Sequence, residues 1–252
     1  GIETVVTFAL LSVLGILGLI FLFFFVKDLL RHRNEMEKGS NVILSCFIGF
    51  ITNFFDVFGI GSFAPGASLY KSFKQVEDQY IPGTLNVSCS LSVIVEAFIF
   101  IQGVRVEPLT LILMLIAATA GAWIGAGIIS KLSKETIQLV MAVAMVVFAV
   151  VIILQVTNII PTKGNAFGLH GIKLVIAVVV NFLLGAVMTA GVGLYAPCLA
   201  LVCVLGMYPI VAFPIMMGSC AYLMPVASIR FIKEGSYNRK VGLWASISAV
   251  VG

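Results

Sequence analysis

Charge is what this sequence has least of. Asp, Glu, Lys and Arg make up 10% of its 252 residues, against about a quarter in an ordinary soluble domain. That shortage excludes a soluble globular protein. With 61% hydrophobic residues it also excludes disorder, which needs high charge and low hydrophobicity. Histidine is nearly missing, and both copies, His32 and His170, lie between apolar blocks. There is no HExxH, no Cys/His grouping at metal spacing and no phosphate-binding glycine loop, so no catalytic residue, metal site or cofactor is read from the chain. Gly59-x-Gly-Ser62 would need a base at its own depth to become a nucleophile, and no His lies there. The five cysteines, Cys46, Cys89, Cys198, Cys203 and Cys220, all fall in apolar segments. Buried cysteine behaves as a small hydrophobe, so no disulfide framework is expected. The net charge is only +4 and no basic stripe is present, which argues against nucleic acid as a partner. The basic residues sit at block ends, where they orient a chain in a bilayer.

Long uncharged runs are what the sequence has instead. Residues 4–26, 108–130, 136–162 and 174–229 contain no Asp, Glu, Lys, Arg or His, and mean hydropathy is +1.16. A spanning helix needs about 20 apolar residues. The chain therefore reads as an all-α polytopic membrane protein whose first partner is the lipid bilayer. The first block runs into a charged loop without a small-residue cleavage site, so it reads as a spanning helix, not a signal peptide.

A repeat of 132 residues covers the chain. Gly59-Ile-Gly-Ser-Phe-Ala-Pro65 aligns without a gap on Gly191-Val-Gly-Leu-Tyr-Ala-Pro197, with four identities in seven positions. Leu69 falls on Leu201, Pro82 on Pro214, Gly103 on Gly235 and Leu111 on Leu243. This gives two units, 1–132 and 133–252, each of four apolar blocks. They are 4–26, 41–70, 81–102 and 109–130, then 136–156, 173–202, 209–229 and 241 onward. The second unit is expected to be incomplete, lacking the counterpart of 121–132. Block 41–70 is interrupted by Gly59, Gly61, Pro65 and Gly66, and its copy by Gly191, Gly193 and Pro197. Pro removes a helical hydrogen bond and Gly weakens a helix, so each of these blocks is expected to be a broken helical hairpin.

Charge decides how the blocks cross. Loop 27–38 has four basic residues and its copy, 159–173, has two; loop 103–108 has only Arg105, while 230–240 has Arg230, Lys233, Arg239 and Lys240. The bias reverses between copies, as inverted repeats require under the positive-inside rule. Inversion needs an odd number of crossings per unit, so the broken block becomes a re-entrant hairpin. Its 30 residues give about 45 Å of helix, enough for two half-crossings. Eight full crossings with parallel halves remain the alternative.

The duplicated glycine element is the strongest functional signal. Non-helical backbone at membrane depth is tolerated only where protein buries it or a cavity hydrates it. Opened backbone offers free N–H groups, and a half-helix N-terminus adds partial positive charge. Two such breaks predict a midplane site for a small anion. The residues expected to line it are Asn53, Gly59, Gly61, Ser62, Gly191, Gly193 and Tyr195. Thr84 and Asn86 at the start of the third block, with Ser219 and Cys220 in its copy, add hydrogen-bonding groups. Helix capping by Thr84 and interhelical hydrogen bonds are the alternative reading of these, and Asn53 and Asn181, just before the breaks, serve either as cavity amides or as helix-to-helix contacts. Asp56 and Glu96 are the acids furthest from a basic loop. An ionisable group within a membrane segment is costly to keep, so both are candidates for proton coupling; a local salt bridge is the alternative.

These features together resemble the sulfite exporter TauE/SafE-like transporter family. The likeness rests on the paired Gly-x-Gly…Pro elements, the Gly83-Thr84 step at a helix start, and the stretch from Gly191 through Ala212-Phe-Pro-Ile-Met-Met-Gly-Ser-Cys220. Where the family commonly has a longer glycine run, this chain has Ser62-Phe63 and Leu194-Tyr195. The resemblance implies a multi-pass carrier in a bacterial-type inner membrane. It would move sulfite, a sulfonate or a related organic anion without ATP, and would not be an enzyme. The substrate anion is then the second partner, and a homodimer is admitted as a third. A channel-like anion facilitator and a non-transporting membrane scaffold or sensor are the competing readings.

Overall fold

The computed structural model describes the chain except residues 57, 59–61, 130, 160–165 and 190–193. Among the described residues it is all helical: α1 (Ile2–Arg31), α2 (Val42–Asp56), α3 (Phe63–Ser72), α4 (Ile81–Gly103), α5 (Pro108–Ile129), α6 (Lys134–Val156), α7 (Ile172–Met188), α8 (Tyr195–Val204), α9 (Ala212–Glu234) and α10 (Arg239–Val251). Short 3₁₀ turns at Asp78–Tyr80 and Pro209–Val211 lead into α4 and α9. Five of these helices, α1, α4, α5, α6 and α9, are long and apolar enough to cross a membrane. Shifted by 132 residues, Phe63–Ser72 becomes Tyr195–Val204, the bounds of α8.

Local chemistry sets the helix ends. Ser133 caps α6 by accepting from the Thr136 N–H, and Asn238 caps α10 by accepting from the Val241 N–H at 3.0 Å, the side-chain oxygens standing in for missing intrahelical partners. Gly235 ends α9 with φ +67°, a left-handed conformation that costs glycine nothing. The sequence reading placed Arg230 and Lys233 in a loop, whereas α9 continues through both to Glu234. Arg and Lys are good helix formers whose stems lie along apolar surface, so charge alone does not end a membrane helix.

Small residues let the helices approach closely. Gly121, Gly125 and Gly185 put α5 against α7, with Gly121 beside Phe182 and Gly185 beside Ala118. Gly49 does the same for α2 against Ala245 of α10. The fully buried centre is α4 packed on α9, where Ser90 and Ser228 hydroxyls meet at 3.1 Å. In contrast, α1 and α6 turn Val5, Phe8, Ile16 and Leu139, Val143, Val147 outward, as lipid-facing helices do.

Each broken block closes on itself. The Ser40 hydroxyl donates to the Gln75 carbonyl at 2.8 Å, and the Asn41 N–H donates to the Gln75 side chain at 2.6 Å. The chain before α2 is thereby fastened to the chain after α3. In the second copy the Ala166 N–H donates to the Gly206 carbonyl at 3.1 Å, and the Tyr208 N–H to the Ala166 carbonyl at 2.9 Å. Both blocks are hairpins that return to the end they left. The first opens where α4 begins, since Asn238 binds Ser40 and also donates its N–H to Thr84 at 2.9 Å. The second opens where α4 finishes, since the Glu107 N–H donates to the Phe167 carbonyl at 3.0 Å and the Leu169 N–H to Thr110 at 3.0 Å.

The α4-start end carries a polar clasp. Arg239 donates to Asp28 at 2.8 Å, and the Tyr237 hydroxyl donates to the same carboxylate. Burial first, then the Asp28 hydrogen bond, push the Tyr237 phenol above its ordinary range.

Candidate functional site

Two half-helices start in the interior of the bundle. α3 begins after Ser62 and α8 begins at Tyr195, from opposite hairpins. Their first turns contain Pro65 and Pro197, residues that give up no intrahelical donor there. Asp56, the last residue of α2, brings the two starts together. Its carboxyl lies against the backbone and hydroxyl of Ser62, against the Tyr195 hydroxyl and against the carboxyl of Glu96 on α4. Tyr195 donates to Glu96 Oε2 at 2.9 Å. All four residues are buried, between 3% and 6% exposed. One carboxyl therefore sits at the N-terminal end of α3, where backbone donors and the helix dipole favour negative charge, and the Tyr195 side chain reaches it from the first residue of α8.

A polar strip leads away from this cluster. The Ser62 hydroxyl approaches Cys89 Sγ at 3.4 Å, and the Asn53 amide approaches the same sulfur at 3.9 Å. Ser92 donates to Asn53 Oδ1 at 2.8 Å. Cys220 stands on the far side with its thiol 3.6 Å from Met188 Sδ. The cluster is one-sided with respect to the 132-residue shift. Asp56 corresponds to Met188, Glu96 to Ser228 and Ser62 to Leu194.

The structure thus brings together Ser62, Tyr195, Asp56 and Glu96, with Asn53 and Cys220 at the edges. Gly59, Gly61, Gly191 and Gly193 lie outside the described residues. Thr84 is elsewhere: its hydroxyl donates to the Tyr80 carbonyl at 2.7 Å and accepts from Asn238, about 18 Å along α4 from Glu96. Asn86 donates to the Pro82 carbonyl at 2.8 Å, and its Oδ1 has no partner among the described residues. Ser219 accepts from Asn181, which also donates to the Met114 carbonyl at 2.6 Å; this joins α7, α5 and α9. Asn181 is a helix-to-helix contact, and Asn53 serves both as one and as an edge of the strip.

Cys89 and Ser92 were not among the expected site residues. Their signal was available in the spacing. Cys89, Ser92 and Glu96 follow one another at steps of three and four, which places them on one helix face. Asn86 and Ser90 fall on another, the face that meets α9.

No group of three or more His, Cys, Asp or Glu side chains able to hold a metal is found among the described residues. No curated protein and no solved structure matches the chain. The family model described as Sulfite exporter TauE/SafE matches residues 2–152. That is more than half of the chain and takes in α1 to α5, the first broken hairpin, Asp56, Glu96 and most of α6. This multi-pass membrane protein belongs to the sulfite exporter TauE/SafE family, a family of transporters.

Proposed function

We propose that the protein is a secondary transporter of a small sulfur-bearing anion, such as sulfite, a sulfonate or a related organic anion, across the inner membrane. One observation carries the reading: the start of α3 and the hydroxyl of Tyr195, the first residue of α8, come from opposite hairpins to a single buried point. Backbone donors and the dipole of α3, with the Tyr195 hydroxyl, offer an anion hydrogen bonds and charge compensation there. The halves 1–132 and 133–252 would form an inverted repeat around that point. In support, the two hairpins open at opposite ends of the bundle, and α4 and α9 begin at opposite ends. A site between two such halves is open to one side and then the other as the halves rock.

The test is counterflow of isotopically labelled sulfite in proteoliposomes of the full chain, with sulfate, thiosulfate, taurine and sulfoacetate as competitors. Saturable exchange that one of these anions inhibits is the expected result. Flux that rises linearly with concentration would convert the reading to a channel. Absence of any anion flux would leave a scaffold or sensor.

A further inference from the structure

The point where the start of α3 meets the Tyr195 hydroxyl already holds a carboxyl of the protein's own. Asp56 lies against the Ser62 backbone at the start of α3 and against the Tyr195 hydroxyl at the start of α8. It is buried, and it faces a second carboxyl, Glu96, equally buried. Two ionised carboxylates present only acceptors to each other. Tyr195 has a single O–H, and it is given to Glu96, so it cannot bridge both acids. Their contact needs one further proton. Asp56 accepts from the Ser62 N–H and hydroxyl at the α3 start, whereas among the described residues Glu96 has no backbone donor, so the shared proton is assigned to Glu96.

Among the described residues, the other titratable groups that face the pair supply no cation. They are Tyr195 from α8, Cys89 from α4 and Cys220 from α9. α10 packs on α2, but its charges, Arg239 and Lys240, lie at the Ser40 end, about 22 Å along α2 from Asp56. Lys27 and Arg31 of α1, and Arg230 and Lys233 of α9, lie near that same end of their helices.

We propose that Asp56 is a resident anion: its carboxylate occupies the position that a transported anion takes, and the anion enters when Asp56 accepts a proton from solution and vacates it. This rests on the reading of the protein as an anion transporter. The charges balance. One proton neutralises Asp56, one monovalent anion replaces its charge between the half-helices, and Glu96 keeps its own proton. No bond between heavy atoms is made or broken. The proton therefore travels with the anion in the same direction, and the protein is a proton–anion symporter.

The experiment is calorimetry on the purified full chain with methanesulfonate, ethanesulfonate and isethionate, monoanions throughout about pH 5.5 to 8, a range that buried carboxyls reach. Affinity for the anion that binds should rise up to about tenfold per unit fall in pH. Asp56→Asn should bind with a pH-independent affinity at least as high as that of the unaltered protein at the acid end. Glu96→Gln should retain the slope, because Asp56 remains to titrate. Binding without pH dependence in the unaltered protein overturns the resident-anion proposal and leaves the transporter reading intact. Failure of these anions and of sulfite to bind at any pH overturns the transporter reading, and the proposal falls with it. If Asp56→Asn does not purify as a single species, the unaltered protein decides alone. Titration in two buffers of different ionisation enthalpy then counts protons: one taken up per anion supports the proposal, and none overturns it.

Discussion

The close approach of α5 and α7 can be tested with one methyl group. A Cβ added at Gly185 would fall against the carbonyl oxygen of Ala118, with that residue's carbonyl carbon and Cα both 2.9 Å away. Carbon atoms prefer about 3.5–4.0 Å, and backbone cannot swing aside as a side chain can. The two helices must therefore part by about an ångström, carrying with them the first half of the second hairpin. Overpacking of this kind costs about 1–3 kcal/mol. Alanine also recovers about 1 kcal/mol of helix propensity relative to glycine, so the comparison needs a control with the same gain. Gly15 provides it, inside α1 with its nearest neighbour, Phe98 Cζ, at 4.0 Å. A shift of about 2–4 °C per kcal/mol applies to a chain of this size. Gly185→Ala should then melt about 2–12 °C below Gly15→Ala in detergent by intrinsic fluorescence. Equal melting temperatures would refute the account of α5 and α7 as a backbone-to-backbone joint.

Single cysteines at Arg33, Ser236 and His170, in a background cleared of the native five, test the inverted arrangement. Arg33 and Ser236 should react with an impermeant reagent from one side and His170 from the other; labelling of all three from one side would rule it out. Thr84→Val removes the hydroxyl that holds the start of α10 and strands the Asn238 N–H, at a cost of about 1–3 kcal/mol. Anion affinity, read by calorimetry, should not change, because Thr84 is distant from the half-helix ends; a tenfold loss would put Thr84 back in the site.

Much of the architecture was legible because it is periodic and local. Uncharged runs mark the long helices, and Gly and Pro mark the breaks in 41–70 and 173–202, where the structure has α2–α3 and α7–α8. The return of each hairpin was legible only through charge counts. What fixes it, the pairing of Ser40 and Asn41 with Gln75, is a contact between residues with no pattern in common. The site was half visible for the same reason. Asp56 and Glu96 stood out singly as acids in apolar surroundings, but their meeting with each other and with Tyr195 spans 139 positions of sequence. Thr84 and Asn86 drew notice as polar residues near a helix start. Helix rotation and depth then assigned them to the end of the bundle, and composition carries neither quantity.

The acids belong to one half only. In the inverted-repeat reading, a scaffold whose halves exchange shapes visits two conformations related by a two-fold axis in the membrane plane, and these have equal free energy when the halves are chemically alike. Here Asp56 and Glu96 correspond to Met188 and Ser228 across the duplication, so that equivalence is broken at the buried carboxyls. On that reading the two conformations stand at different heights, and the difference follows the acidity of whichever compartment reaches the carboxyls. The two directions of interconversion are then unequal in rate by composition, an asymmetry that an exact duplication could not have.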